Sequence, residues 1–287
     1  MSKRAICVGI NKFANFPQFA LNGCINDAKD MAALCKGLLG FKSAEITVLT
    51  DAQATKANVV AQLNAAVKDA KAGKIGYLLF SFSSHGTQMA DKSGDEPDGM
   101  DEAFVPYDIA QKGNAWDPTR IISDDEFHDL FQQLPENVLL EVYLDTCHSG
   151  SGLRGAEFSL NAPRPRFIAP PAGELQGAVP QHKVRGFVLD RPTSKAKGKA
   201  SAKDVASGAH HILWTGCKAN QTSADAYFNG RYSGAFTYHF VQIMNQTKNQ
   251  LARKAVIQKV RDALKGKFSQ VPQLEGNATN RNSAIVY

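Results

Sequence analysis

Val138-Leu139-Leu140-Glu141-Val142-Tyr143-Leu144-Asp145-Thr146-Cys147-His148-Ser149-Gly150 is an apolar, β-rich run that stops abruptly at reactive side chains. The first part, Val138–Leu144, predicts a buried strand. The second part puts a thiol at the carboxyl end of that strand, the edge where open α/β sheets carry their sites. A similar sentence occurs upstream. Tyr77–Ser83 predicts a strand, and Ser83-Ser84-His85-Gly86 follows it. If the two strands are neighbours, His85 and Cys147 face each other across a crevice. Such a pair is suited to nucleophilic acyl transfer, because an imidazole raises the thiolate fraction and can later protonate a leaving amine. Backbone amides at Gly86 and Cys147 are positioned to hold an oxyanion, since the following glycines allow close approach.

Working outward, strands and helices alternate. Arg4–Ile10 reads as a first buried strand and Asn26–Gly40 as a helix with Ala28, Met31, Leu34, Cys35 and Leu38 on one face. Glu45–Thr50 is a strand. Thr55 caps a helix to about Ala72. Ser123-Asp124-Asp125-Glu126 is a capping box that opens another helix. His210–Thr215, helices Gly234–Met244 and Ala252–Leu264, and a short terminal strand Ser283–Val286 complete the series. The pattern predicts one α/β domain over 1–287, a mostly parallel sheet with helices on both faces. It has two parts, 1–150 and 208–287, joined by 151–207.

With 43% hydrophobic and 21% charged residues, the chain is neither disordered nor membrane-spanning. The formal charge of +6 suggests a nucleic-acid partner until it is located. Segment 151–207 holds ten Lys and Arg and four Asp and Glu, so it accounts for the whole excess. It is rich in Pro and Gly and lacks aromatic interleaving. A basic surface loop is expected, with no nucleic acid and no membrane as partner. Five widely spaced cysteines (Cys7, Cys24, Cys35, Cys147, Cys217) without a C-x-x-C point to reduced thiols in a cytoplasmic protein. His148 beside Cys147 lacks a second ligand pair at zinc-like spacing and reads as a loop residue.

Ser83-Ser84-His85-Gly86-Thr87-Gln88 and Asp145-Thr146-Cys147-His148-Ser149-Gly150 resemble the His and Cys motifs of metacaspases and their bacterial relatives. Leu21-Asn22-Gly23-Cys24-Ile25-Asn26-Asp27-Ala28, Gly94–Glu102, and Gly216-Cys217 followed by Gln221–Asp225 agree, in family order. The resemblance implies a caspase-like three-layer α/β sandwich. It implies a cysteine endopeptidase with His85 as base and Cys147 as nucleophile, acting on peptide bonds after Arg or Lys. The positions matching the family's acidic pocket are Asp27 and Asp145, with Ser83 and Cys24 beside them, and Asp225 offers a third carboxylate. Two carboxylates in one pocket favour a cationic side chain on electrostatic grounds as well.

Many members bind Ca²⁺, and the matching positions here are Asp101, Asp124 and Asp125. Arg154 stands where calcium-dependent members carry Asp, so a cation replaces a ligand. No cofactor is required on this reading, and calcium binds weakly or not at all. Ser84, where the family has Gly, adds a Cβ near His85. The linker 151–207 offers an Arg/Lys-specific enzyme sites in its own chain: Arg166-Phe167, Arg185-Gly186 and the Lys195–Lys203 cluster. A solvated loop is the alternative. For the whole chain the alternatives are a caspase-like interaction module without activity and an amidase or thioesterase with the same dyad. The family leans monomeric.

Overall fold

Three central strands bury both faces. β1 (Ser2–Gly9) sends Ile6 and Val8 to one side and Ala5 and Cys7 to the other. β3 (Ile75–Ser83) divides Leu78, Phe80 and Phe82 from Tyr77 and Leu79, and β9 (Leu139–Asp145) divides Leu140, Val142 and Leu144 from Tyr143. Side chains alternate along a strand, so a strand apolar on both sides needs cover on both sides. The computed structural model describes residues 2–91, 99–148, 163–175 and 210–285 and shows that cover. Helices α2 (Lys56–Lys71) and α3 (Asp124–Phe131) contribute to one hydrophobic cluster, and α1 (Cys24–Gly37), α4 (Ala235–Thr247) and α5 (Arg253–Leu264) to the other.

The remaining elements complete the frame. β2 is Ile46–Thr50, β4 Gly86–Ala90, β5 Met100–Phe104, β6 Gln111–Lys112, β7 Ala115–Trp116 and β8 Ile122–Ser123. β10 is Arg164–Pro165, β11 His211–Thr215, β12 Ala224–Phe228, β13 Arg231–Gly234 and β14 Gln273–Glu275, with a short helix α6 at Ala278–Arg281. The main sheet has the order β14-β11-β9-β3-β1-β2, all parallel except the β11–β14 pair. Small sheets β4-β5-β8 and β10-β12-β13 and the hairpin β6-β7 complete the pairing. The caps follow the sequence: Thr55 Oγ1 accepts from Asn58 N, and Ser123 and Glu126 form the reciprocal capping box. Among the described residues, no helix is long and apolar enough to cross a membrane.

Two expectations need correction. Residues 283–285 form no strand; Val286 lies outside the described residues. Their polar groups are used elsewhere. The Ser283 and Ala284 carbonyls accept from the Arg253 guanidinium, and Ile285 N donates to Asn249 Oδ1. The edge strand is β14. The second correction concerns the basic segment. Residues 163–175 are not a solvated loop: Arg166 is 0% exposed, Ile168 2% and Glu174 4%. Arg185, Lys195, Lys203 and Arg154 lie outside the described residues.

Candidate active site

The register of β3 and β9 builds the site. Ser83 is paired with Asp145, so His85 and Cys147, each two residues further on, emerge side by side at the carboxyl rim. His85 is fixed from three sides. Its Nε2 donates to Phe19 O at 2.7 Å, and the rings of Phe13 and Phe19 lie 5.2 and 6.4 Å away. That bond leaves Nδ1 as the lone-pair nitrogen, without a hydrogen-bond partner among the described residues. Burial is the main reason its pKa is pulled down to about 4. The Phe19 carbonyl opposes the shift, the Arg166 charge adds to it, and the Arg166 carbonyl opposes it at a geometry short of a hydrogen bond. Cys147 is fully buried. Its Sγ donates to Ser223 O at 3.3 Å and is also met by Ser223 N. Gly86 has to be glycine, because a Cβ there would collide with the Cys147 carbonyl and crowd the His148 ring.

The chain itself lies across this rim. Arg164 and Pro165 pair antiparallel with Asp225 and Ala224 at the edge of β12, and Arg166 N donates to Ser223 O at 3.0 Å. Pro165 fits an edge position because it has no N–H to give. Arg166 O accepts from Gly86 N at 2.9 Å and from Cys147 N at 3.2 Å. Ile168 N then donates to Gly86 O at 3.0 Å, so Phe167 is bracketed by one glycine. The carbonyl oxygen of the Arg166–Phe167 peptide bond thus lies between two amides, one of them that of Cys147.

The Arg166 side chain fills a pocket of carboxylates. Nη2 donates to Asp27 Oδ2 at 2.6 Å and Asp225 Oδ1 at 2.9 Å. Nη1 donates to Ser83 Oγ at 2.7 Å and Asp145 O at 3.1 Å, and lies 3.3 Å from Asp145 Oδ1. All three acids are buried, and each is anchored to the fold as well. Asp27 accepts from Ser233 Oγ and Gly234 N, Asp145 from Ser223 Oγ, Thr237 N and Thr237 Oγ1, and Asp225 from Asn22 N and Gly23 N. Burial raises the Asp145 pKa, with Asp27 adding to it and Arg166 opposing. Burial likewise raises the Cys24 thiol, against the pull of Arg166. Three buried acids thus surround one buried guanidinium, an arrangement that favours a cation.

Asp27, Asp145, Ser83, Cys24 and Asp225 are therefore brought together, and Gly86 and Cys147 meet one oxygen. The partners Ser233, Gly234 and Thr237 had no signal in the sequence beyond their place at a strand–helix junction. Ser84 is fully buried and donates to Val105 O at 2.7 Å, which occupies its hydroxyl. His148 is buried against Phe104, with ring centroids 4.8 Å apart, and burial pulls its pKa to about 4. Asp101 on β5 and Asp124 at the start of α3 are buried and Asp125 is half-buried. Among the described residues no three His, Cys, Asp or Glu side chains are grouped to hold a metal ion.

Comparison with known proteins shows the family and the fold. The family model described as "Caspase domain" matches residues 2–283. Metacaspase-1 of Mycosarcoma maydis is 34% identical over 96% of this chain and 70% of its own length. Metacaspase-1A of Aspergillus fumigatus is 34% identical over 95% of this chain and 68% of its own. Among solved structures, a Geobacter sulfurreducens protein superposes with a TM-score of 0.65 at 24% identity, covering 99% of this chain and 97% of its own. Caspase-1 from Spodoptera frugiperda gives 0.56 at 12% identity, over 96% and 86%. The last two show the shared fold. The chain belongs to the caspase-domain family and is a cysteine-type peptidase related to the metacaspases.

Proposed function

We propose that this peptidase is an endopeptidase that cuts after Arg or Lys, and that its own Arg166–Phe167 bond is a substrate. One observation carries the reading: the Arg166 side chain fills the three-carboxylate pocket while its carbonyl oxygen accepts from Gly86 N and Cys147 N. Cys147 is the nucleophile and His85 the base. The thiol leaves its bonds to Ser223 by a rotamer change and gives its proton to His85 Nδ1. The thiolate attacks the Arg166 carbonyl carbon, and the two amides stabilise the oxyanion. His85 then protonates the departing Phe167 nitrogen. A planar guanidinium uses the pocket more fully than an ammonium, so Arg is preferred over Lys.

Calcium is not required on this reading and binds weakly or not at all, because Arg154 stands where calcium-dependent relatives carry Asp. The protein acts as a monomer on the same reading, as the family resemblance implies. Mass spectrometry of wild type and Cys147→Ala tests self-cleavage: a cut after Arg166 in wild type alone is expected, and cuts in both or neither sink it. A fluorogenic Arg- or Lys-peptide assay with and without Ca²⁺ tests the rest, and a strict calcium requirement would overturn the calcium reading.

A further inference from the structure

Cleavage at Arg166–Phe167 would not free the two new ends, because each side is held by bonds that do not depend on the peptide between them. On the amino side, Arg166 is held by its guanidinium bonds and by Ser223 O, and Arg164 Nη1 donates to Ala20 O. On the carboxyl side, Ile168 N stays on Gly86 O, and the Ile168 side chain is sealed in the larger hydrophobic cluster. Gly173 N donates to Asn114 O at 2.8 Å, and a Cβ at Gly173 would strike that carbonyl. Glu174 is the main anchor. Its buried carboxylate accepts from Ala90 N at 2.8 Å and Trp116 N at 2.6 Å, tying the segment to β4 and to the β6-β7 hairpin.

We infer that this enzyme also forms peptide bonds: the retained Phe167 amine returns the Cys147 thioester of Arg166 to an amide, so cut and uncut chains interconvert on the same molecule. This rests on the self-cleavage proposed above. In the forward step the Cys147 S–C bond forms, the Arg166–Phe167 C–N bond breaks, and His85 gives a proton to the leaving nitrogen. In reverse, the neutral Phe167 amine attacks the thioester carbon, the C–S bond breaks, and the amine proton passes to His85. No oxidant or second substrate enters. Water must compete with a nucleophile already fixed at the carbonyl, and a held amine acts at very high effective concentration. Where water takes the thioester instead, the new Arg166 carboxyl group stays beside Cys147 and the step runs backward: the S–C bond re-forms, one carboxyl oxygen leaves as water with the acid proton and the thiol proton, and the held Phe167 amine then closes the amide, so an oxygen from solvent remains in the Arg166 carbonyl.

The test is oxygen exchange. Wild-type protein is incubated in H₂¹⁸O at neutral pH, and the uncut chain is isolated under denaturing conditions and digested without cutting after Arg. Hydrolysis followed by resealing places ¹⁸O in the Arg166 carbonyl of the uncut chain. Label there, absent in Cys147→Ala, is the expected result. Glu174→Ala and, separately, Ile168→Ala loosen the carboxyl-side segment and are expected to cut further while losing label about tenfold or more. Wild-type chains that cut after Arg166 while the surviving uncut chain stays unlabelled overturn the inference and leave the self-cleavage reading standing. Wild type that neither cuts nor labels overturns both.

Discussion

Arg166→Ala is the sharpest perturbation of the site. In a Cys147→Ala background, where no cutting complicates the measurement, the arginine loses four side-chain hydrogen bonds and its approach to Asp145. Removing one partner of a buried ionic cluster typically costs about 3–5 kcal/mol. That free energy holds segment 163–168 in the pocket. At about 1.4 kcal/mol per factor of ten, its loss is worth about 10²- to 4 × 10³-fold in access. A fluorescein-labelled peptide ending in Arg should therefore bind the double variant about 10²- to 4 × 10³-fold more tightly than Cys147→Ala alone. Polarisation anisotropy reads this directly. Arg166→Lys should fall between, because an ammonium cannot serve both forks of the pocket. Equal affinity of the single and double variants would refute the reasoning, since the pocket would then be open despite Arg166.

Three other outcomes follow from buried groups. Glu141 accepts from Tyr77, Tyr143, Trp214 and twice from Arg253, so Glu141→Gln offers donors where acceptors are needed and should lower stability by about 3 kcal/mol or more in urea titration; an unchanged midpoint would contradict the network. His85 and His148 are pulled by burial from 6.5 to about 4, so the unfolded chain holds more protons between those values. Stability is full above about pH 6.5 and declines as pH falls toward 4; a urea midpoint that does not drop from pH 7.5 to pH 5 counts against this. Ser84→Gly strips the donor from Val105 O and adds chain entropy, which should cost about 1–2 kcal/mol, and a large gain in Tm would show that the serine is strained.

Much of the site was legible because it depends on local pattern. Strand ends are visible as apolar runs that stop, and their register carried His85 and Cys147 together. Asp145 could be placed because it closes such a run. What stayed hidden depends on distant pairing. The basic segment reads as solvated because charge is counted by composition, and nothing near Arg166 distinguishes it from Arg185. Its burial is decided by β10 pairing with β12, some sixty residues away, and by acids from three other places in the chain. Glu141 shows the same limit: a carboxylate within an apolar strand reads as an exception until Arg253 arrives from α5. The terminal strand was misplaced because apolar composition near Ser283 says nothing of a guanidinium taking its carbonyls.

The three pocket acids have a consequence for how this protein can change over time. Asp225 fixes the turn at Asn22 and Gly23 ahead of α1, Asp27 ties α1 to the end of β13, and Asp145 ties β9 to the start of α4. Gly234, wedged against Asp145 and Arg166, leaves no room for a compensating side chain. A variant that exchanges one acid alters what the pocket accepts and at the same time unpins a junction of the scaffold. Drift away from the proposed preference for Arg must cross weakened forms, so the frame itself penalises the first step away.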